Sequence, residues 1–334
     1  MEKPSRTGRL ACKVVRLSTS LPVFGKQLQN GELRKKLEER EPKWHCPPPL
    51  QQFAIPMDTF PMEFLVKRQQ AGEETEDEEL EQALARYREK GVILQLHGGG
   101  YYGAMRNKYR EFAGLYNEVS GDMAVLTIDY RVAPEHPYPA ALEDAVEAYR
   151  WLLQHFEPER IFVVGDSAGG GLALALVLWL KDHRVELPRA IVTMSAWTDL
   201  TKSGESYKEN FEKDPLFGRN PDSLVYKEGY YKGQDPRNPY ISPVEGDFSG
   251  FPPMLMQVGE YEMLLSDTRQ VAQKAREQGV RVYEHMYPGM FHVFQMGSLM
   301  YPESRQAWVE IGRFLRRFQK KGSIVSKPRE VPGD

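Results

Sequence analysis

The chain has 334 residues, 41% hydrophobic and 27% charged, a composition typical of a soluble globular protein with one large α/β domain or two medium ones. Its 44 basic and 47 acidic residues give a formal net charge of −3, so no basic field favours nucleic acid as a partner. Two cysteines are too few for a disulfide framework, and neither a signal peptide nor a transmembrane-length apolar run is present, which predicts a cytoplasmic protein.

The amino-terminal quarter is predicted to contain covering elements and one insertion. Loosely helical spacing of apolar residues from Leu21 to Pro48 indicates amphipathic helices that pack on a neighbouring face or cover something. Phe53 to Gln69 has the alternation of a half-buried strand. The acid-rich run from Gly72 to Gln82 repels itself and has no apolar face, so it is interpreted as a solvated helix face or a hairpin tip rather than a metal or basic-partner site. Residues 71–90 are accordingly interpreted as a surface insertion.

A glycine run follows the first predicted buried strand, Val92 to Leu96. Gly98, Gly99 and Gly100 allow several backbone N–H groups to point into one cavity, as in an oxyanion hole; the alternative is a flexible turn. His97 before the run is interpreted as shaping the turn rather than as a base. After it come Tyr101 and Tyr102, which either border a substrate pocket or pack under a covering segment.

Strands and helices then alternate, which predicts a largely parallel sheet with helices on both faces. Such a sheet places its site at the carboxyl ends of the strands. The predicted elements are a helix from Asn107 to Glu118, a strand from Met123 to Tyr130, a helix containing Ala141 to Leu152, strands at Ile161 to Val164, Ala190 to Met194, Met254 to Val258 and Val282 to Tyr287, and helices from Ser266 to Gln278 and Gln306 to Phe318. The irregular stretch at residues 197–240 is interpreted as a second covering segment.

The sequence Gly165-Asp166-Ser167-Ala168-Gly169 is a G-x-S-x-G pentapeptide between a strand and a helix. At so sharp a corner the two glycines let strand and helix pass each other, and the serine side chain is presented as a nucleophile. A phosphate-binding glycine turn is the alternative interpretation of this pentapeptide alone.

A serine nucleophile needs a histidine base and a carboxylate that orients it. Of the histidines after Ser167, His292 lies in a loop directly after a strand and is the predicted base, whereas His183 is in a helix tail and His285 is inside a strand pattern. The carboxylate candidates follow the strand ending at Val258. They are Glu262, the first choice because it lies in the loop proper, Glu260, the nearest competitor, and Asp267, for which helix capping is the ordinary role. The earlier Asp214 is interpreted as a turn residue before proline.

From about Val92 to Phe294 the sequence resembles the hormone-sensitive-lipase-like family of α/β-hydrolase esterases. The resemblance is carried by HGGGYYGA, DYRVAPEHPYPAALEDA, GDSAGG and the ending G-x-x-acid-x-L…G-x-x-H-x-F. It implies one α/β-hydrolase domain over residues 1–334, a mostly parallel central sheet flanked by helices, and a helical cap drawn from residues 1–50 and 197–240. The site residues that it implies are Ser167 as nucleophile, His292 as base, and an oxyanion hole of Gly98, Gly99 and Ala168, with Gly100 as an alternative donor.

One position departs from the family pattern, because Glu262-Met263-Leu264 stands where many members have Asp-Pro-Leu. The implied reaction is hydrolysis of short-chain, including acetyl, esters through an acyl-enzyme, with a small-molecule ester as partner and no metal or organic cofactor. An amidase or arylformamidase shares every one of these residues. A non-catalytic small-molecule receptor is the third hypothesis, and the presence of His292 disfavours it. Both a monomer and a homodimer fit the sequence.

Overall fold

Eight strands form one sheet in the computed structural model, which describes residues 3–19, 41–68, 75–219 and 227–319. They are β1 (Leu50–Pro56), β2 (Pro61–Lys67), β3 (Val92–Leu96), β4 (Ala124–Ile128), β5 (Ile161–Asp166), β6 (Ala190–Met194), β7 (Met254–Gly259) and β8 (Val282–Tyr287). Their order is β1-β2-β4-β3-β5-β6-β7-β8. The first two pairings, β1 with β2 and β2 with β4, are antiparallel, and all the others are parallel. The mostly parallel sheet predicted from the sequence is confirmed.

Helices cover both faces of this sheet. They are α1 (Arg6–Thr19), α2 (Glu76–Tyr87), α3 (Asn107–Ser120), α4 (Ala140–His155), α5 (Ser167–Asp182), α6 (Ser206–Glu209), α7 (Lys227–Tyr231), α8 (Leu265–Glu277) and α9 (Pro302–Phe318). Successive strand residues enter opposite cores: Leu94 packs with α2, α4, α5 and α8, whereas Ile93 packs with α3 and α9. Because both faces are covered, the central strands are buried throughout and mostly apolar, as expected of a parallel sheet.

The segment predicted as extended from Phe53 is a hairpin, since the chain reverses between Pro56 and Pro61. Its second strand is not half-buried as predicted. Phe64 and Val66 lie in one core and Leu65 in the other, because β2 is paired on both edges and covered on both faces.

From residue 75 onward the acid-rich region is the solvent-facing first part of helix α2, one of the two forms expected of it. Thr75 and Glu78 form a capping box, and the acids of the first turn of α2 lie at the helix end that favours negative charge. Leu84 and Tyr87 of the same helix are buried in the core. From residue 75 onward this region is therefore a packed helix whose acidic turn is its amino-terminal end. Most of the amphipathic stretch predicted from Leu21 lies outside the described residues.

Candidate active site

Ser167 lies at the corner between β5 and α5 and has a left-handed backbone, with φ at +52°. The corner is tight: a Cβ atom at Gly165 would clash with the carbonyl of Gly169, and one at Gly169 would clash with the carbonyl of Leu96. Only glycine fits at these two positions. The chain stores strain at Ser167, and this keeps the hydroxyl at the carboxyl edge of the sheet.

His292 contacts both the serine and a carboxylate. Its Nε2 lies 2.8 Å from Ser167 Oγ, and its Nδ1 lies 3.0 Å from Glu262 Oε2. Ser167 and His292 are only 8% and 7% exposed, and Glu262 is fully buried. A carboxylate can only accept, so Nδ1 carries the proton and Nε2 is free to accept the serine proton. This arrangement can remove a proton from Ser167 and stabilise the resulting imidazolium.

The other acids considered from the sequence have different partners. Glu260 accepts a hydrogen bond from the Gly289 N–H at 2.7 Å. Asp267 is buried and accepts from the backbone N–H groups of Thr198 and Asp199 at 2.8 and 2.9 Å, which is a tether between loops rather than the predicted helix cap.

The Glu262 carboxylate is held by a serine that sequence reasoning missed. Ser195, the residue after β6, donates to Glu262 Oε1 at 2.7 Å and accepts from the Val293 N–H at 3.0 Å. It therefore joins the loop of the acid to the loop of His292. In the sequence, its position directly after a strand was the one feature that indicated a place at the carboxyl edge of the sheet. The N–H of Gly259, at the same edge, also donates to Glu262 at 2.5 Å.

The second covering segment also holds this acid loop. Asp214 forms the predicted turn, with Oδ1 accepting from Leu216 and Phe217, but its Oδ2 also accepts from the Met263 N–H at 2.8 Å. Asn210 donates to the Glu262 carbonyl at 2.8 Å. The Phe217 ring lies 4.8 Å, centroid to centroid, from the His292 ring. Asp214 is thus a buried link between the covering segment and the carboxylate loop, which the turn interpretation did not foresee.

One of the predicted oxyanion donors in the glycine loop, the Gly98 N–H, already has an acceptor. The Gly98 N–H donates to Asp166 Oδ1 at 3.1 Å, and a Cβ atom at Gly98 would clash with the same carboxylate. Gly98 is therefore a structural anchor of the loop rather than an open donor. The N–H groups of Gly99 and Gly100 have no acceptor within the described residues. Ala168 lies in the first turn of α5, where N–H groups have no intrahelical partner.

The tyrosines after these glycines have different environments. Tyr101 is fully buried and stacks on Tyr230 with ring centroids 3.7 Å apart, which fits the packing alternative considered for it. Tyr102 is half-buried, and its hydroxyl packs so closely on Gly229 that no Cβ would fit there. His97 is buried, stacks on Tyr130 and lies 2.7 Å from the Gly98 carbonyl through Nδ1, as expected of a residue that shapes the turn.

Burial raises the pKa of Asp166 to about 7, although the Tyr109 hydroxyl, His292 and the Gly98 N–H partly offset this. Since the pKa is higher in the folded than in the unfolded state, the group's contribution to stability is complete below about pH 4 and is lost as the pH rises to about 7.

Asp166→Asn stays neutral and keeps an acceptor for Gly98, so it should escape this loss. We expect its free energy of unfolding, relative to wild type, to rise by about 1.4 kcal/mol per pH unit between the two pKa values. Urea unfolding of both proteins at mildly acidic and mildly basic pH measures the difference. A difference that does not change with pH would contradict the buried-carboxyl interpretation.

Within the described ranges there is neither a metal-binding group of side chains nor a membrane-spanning helix. No group of three or more His, Cys, Asp or Glu side chains there could hold a metal ion. No described helix has both the length and the apolar character needed to cross a bilayer.

Comparisons with known proteins show the family of the chain. A family model described as alpha/beta hydrolase fold matches residues 93–296. An acetyl-hydrolase of Streptomyces hygroscopicus is 41% identical over 232 residues, which cover 69% of this chain and 77% of that protein. An esterase of Acinetobacter venetianus is 36% identical over 226 residues, 67% of this chain and 74% of that protein.

Solved structures extend the likeness over almost the whole chain. The crystal structure of an esterase from the bacterial hormone-sensitive lipase family superposes with a TM-score of 0.79 at 32% identity, covering 95% of this chain and 99% of that one. The crystal structure of an esterase/lipase from an uncultured bacterium superposes with a TM-score of 0.79 at 33% identity and covers 94% of this chain and 99% of that one. The chain therefore belongs to the hormone-sensitive-lipase-like family of α/β hydrolases, and it is a carboxylesterase.

Proposed function

We propose that this carboxylesterase acts through Ser167 as nucleophile, His292 as general base and Glu262 as the carboxylate that orients the base. The observation that carries the proposal is the double contact of His292, 2.8 Å to the serine oxygen and 3.0 Å to the carboxylate. A histidine packed for structure alone would not bridge these two groups beside a strained serine.

In the acylation step His292 Nε2 takes the hydroxyl proton while Ser167 Oγ attacks the ester carbonyl. The oxyanion of the tetrahedral intermediate accepts hydrogen bonds from the N–H groups of Gly99, Gly100 and Ala168. The imidazolium then gives its proton to the departing alkoxide, leaving an acyl-serine. A water molecule, deprotonated by His292, then attacks the acyl-serine in the same way, which releases the carboxylic acid and restores the serine. Each oxyanion donor of this kind contributes about 3 kcal/mol to the transition state.

We propose short acyl groups, acetyl among them, as the preferred substrates. The low exposure of Ser167 and His292 supports a confined acyl site, and so does the Phe217 ring against His292. The name of the 41%-identical relative, acetyl-hydrolase, points the same way.

A series of p-nitrophenyl esters from acetyl to dodecanoyl tests the acyl preference, with kcat/KM as readout. We expect the highest values for acetyl to butyryl and a steep fall for octanoyl and longer chains. A rise toward dodecanoyl would contradict the proposal. p-Nitroacetanilide, the amide counterpart of the acetyl ester, is the control for an amidase, and turnover of it at the ester rate would favour that alternative.

We also propose that residues 1–50 and 197–240 act as a cap on one domain. Two hydrogen bonds support this: Arg16 donates to the Lys213 carbonyl at 2.5 Å and Thr19 to the Pro215 carbonyl at 2.6 Å, so α1 is tied to the segment that packs on His292. Cytoplasmic location and a monomeric or homodimeric state stay predictions from the sequence, which fractionation and light scattering would test.

Ser195→Ala is expected to lower kcat by roughly tenfold to hundredfold, because a hydrogen bond to a carboxylate contributes about 1.5–3 kcal/mol. Ser195 has φ at +51°, so Ser195→Gly loses the same hydroxyl but relieves backbone strain. We expect both variants to lose activity alike and the glycine variant to have the higher Tm. Recovery of kcat by glycine would mean that the backbone, rather than the hydroxyl, positions Glu262.

A further inference from the structure

Helix α1 presents an apolar stripe to solvent. Leu10, Val14 and Leu17 are 60%, 56% and 70% exposed, and their spacing of four and three residues puts them on one helix face. Scattered exposed leucines are ordinary, but three large apolar side chains in a row on one helix mark an interaction surface.

The same helix is strongly basic. Its sequence RTGRLACKVVRLST holds four cationic residues, Arg6, Arg9, Lys13 and Arg16, and no acid. At about 100° per residue, Arg6 and Lys13 lie along one border of the stripe and the other two lie beyond them. This local charge contrasts with the formal charge of −3 for the whole chain, which by itself would repel an anionic surface.

The stripe belongs to a helix whose opposite face is docked. Ala11, Cys12 and Val15 pack against a buried cluster that includes Tyr287 and Phe294. At the start of the helix, the Ser5 hydroxyl donates to Glu303 at 2.9 Å, and its end is tied to the Pro215 carbonyl through Thr19. The apolar row is therefore the outward face of a fixed element.

We propose that α1 is a docking surface for anionic lipid, lying in the headgroup plane with its apolar stripe inserted and its basic border on the phosphates. An exposed apolar face bordered by lysine and arginine is the signature of interfacial helices. A protein partner would have to carry a matching acidic surface, whereas an anionic lipid surface supplies negative charge along the whole helix. The inference does not rest on the proposed catalytic roles.

Sedimentation of the full-length protein with vesicles tests the proposal. We expect it to pellet with phosphatidylglycerol vesicles, to stay in solution with phosphatidylcholine vesicles, and to be released by high salt. The charge variant R9E/K13E should weaken vesicle binding by roughly tenfold or more. The apolar variant L10Q/V14Q/L17Q should weaken it by a similar factor of roughly ten. Both variants should keep the wild-type Tm, because the five changed side chains are exposed.

The matched control is K208E/R281E, which changes the net charge equally through two exposed residues outside α1. It should bind as wild type does. No sedimentation of the wild type with phosphatidylglycerol, or equal sedimentation of all variants, would overturn the proposal. It would also be overturned if L10Q/V14Q/L17Q converted a dimer to a monomer in light scattering without vesicles, because the stripe would then be a contact between two copies.

Discussion

Ser167→Ala is expected to lower kcat for p-nitrophenyl acetate by about 10⁵-fold, because the remaining groups can bind and polarise the ester but cannot form the acyl-enzyme. Alanine accepts the left-handed backbone at this corner no worse than serine does. We therefore expect the free energy of unfolding to change by less than about 1 kcal/mol. Initial-rate assays of both proteins measure kcat, and urea unfolding of both measures the free energy of unfolding.

A second readout separates the role of Ser167 from a general loss of activity. Phenylmethylsulfonyl fluoride should add one sulfonyl group to the wild type, detected by intact mass, and none to Ser167→Ala. Ser249→Ala is the control, since Ser249 is exposed and its N–H and hydroxyl both donate to Asp247. Turnover by Ser167→Ala close to the wild-type rate, or its sulfonylation, would refute the assignment of the nucleophile.

Glu262→Gln is expected to lower kcat by about 10³- to 10⁴-fold with little effect on KM. The amide oxygen can still accept from Ser195 and Gly259, so the loop should keep its shape. The amide nitrogen then faces His292 Nδ1 and donates to it. This forces the proton onto Nε2, the atom that must receive the serine proton.

Glu260→Gln is the matched control, two residues away in the same loop. Its carboxylate contacts the Gly289 N–H and not His292, so we expect kcat within about threefold of wild type. The same p-nitrophenyl acetate assay measures both variants. A loss confined to the Glu260 variant would transfer the orienting role to that residue and contradict the geometry of the site.

The hydrogen bonds around Glu262 tie the position of this carboxylate to residues 206–214. Asn210 and Asp214 bind the backbone on either side of the carboxylate, and Ser206 donates to the Met263 carbonyl at 2.6 Å. Small displacements of that segment would therefore change the position of the acid. This dependence explains why buried polar residues accumulate in a stretch whose sequence is irregular.

Much of the fold could be predicted from local patterns. The strands Val92–Leu96, Ala190–Met194 and Val282–Tyr287 have the predicted bounds, because short apolar runs bounded by turns are typical of strands. The hairpin was misjudged since burial on both faces of β2 removes the alternation on which the prediction depended. The acidic start of α2 is exposed as expected, whereas the burial of Leu84 and Tyr87 at its other end was not foreseen, because the charge run hides the apolar face that follows it.

The sequence by itself determined the elbow, the glycine loop and their order. The strained corner permits only glycine at the positions two residues before and after Ser167, and the alternation of strands and helices predicts a parallel sheet. Only the tertiary structure decided which N–H group of the glycine loop is already bonded and which carboxylate contacts His292. Gly98 and Gly99 are equivalent in sequence, yet Asp166 takes the N–H of the first. Glu260 and Glu262 share one loop, and only the turn after β7 directs the second toward His292. Ser195 comes to the site because β6 and β7 are neighbours, a contact between strands that no local pattern contains.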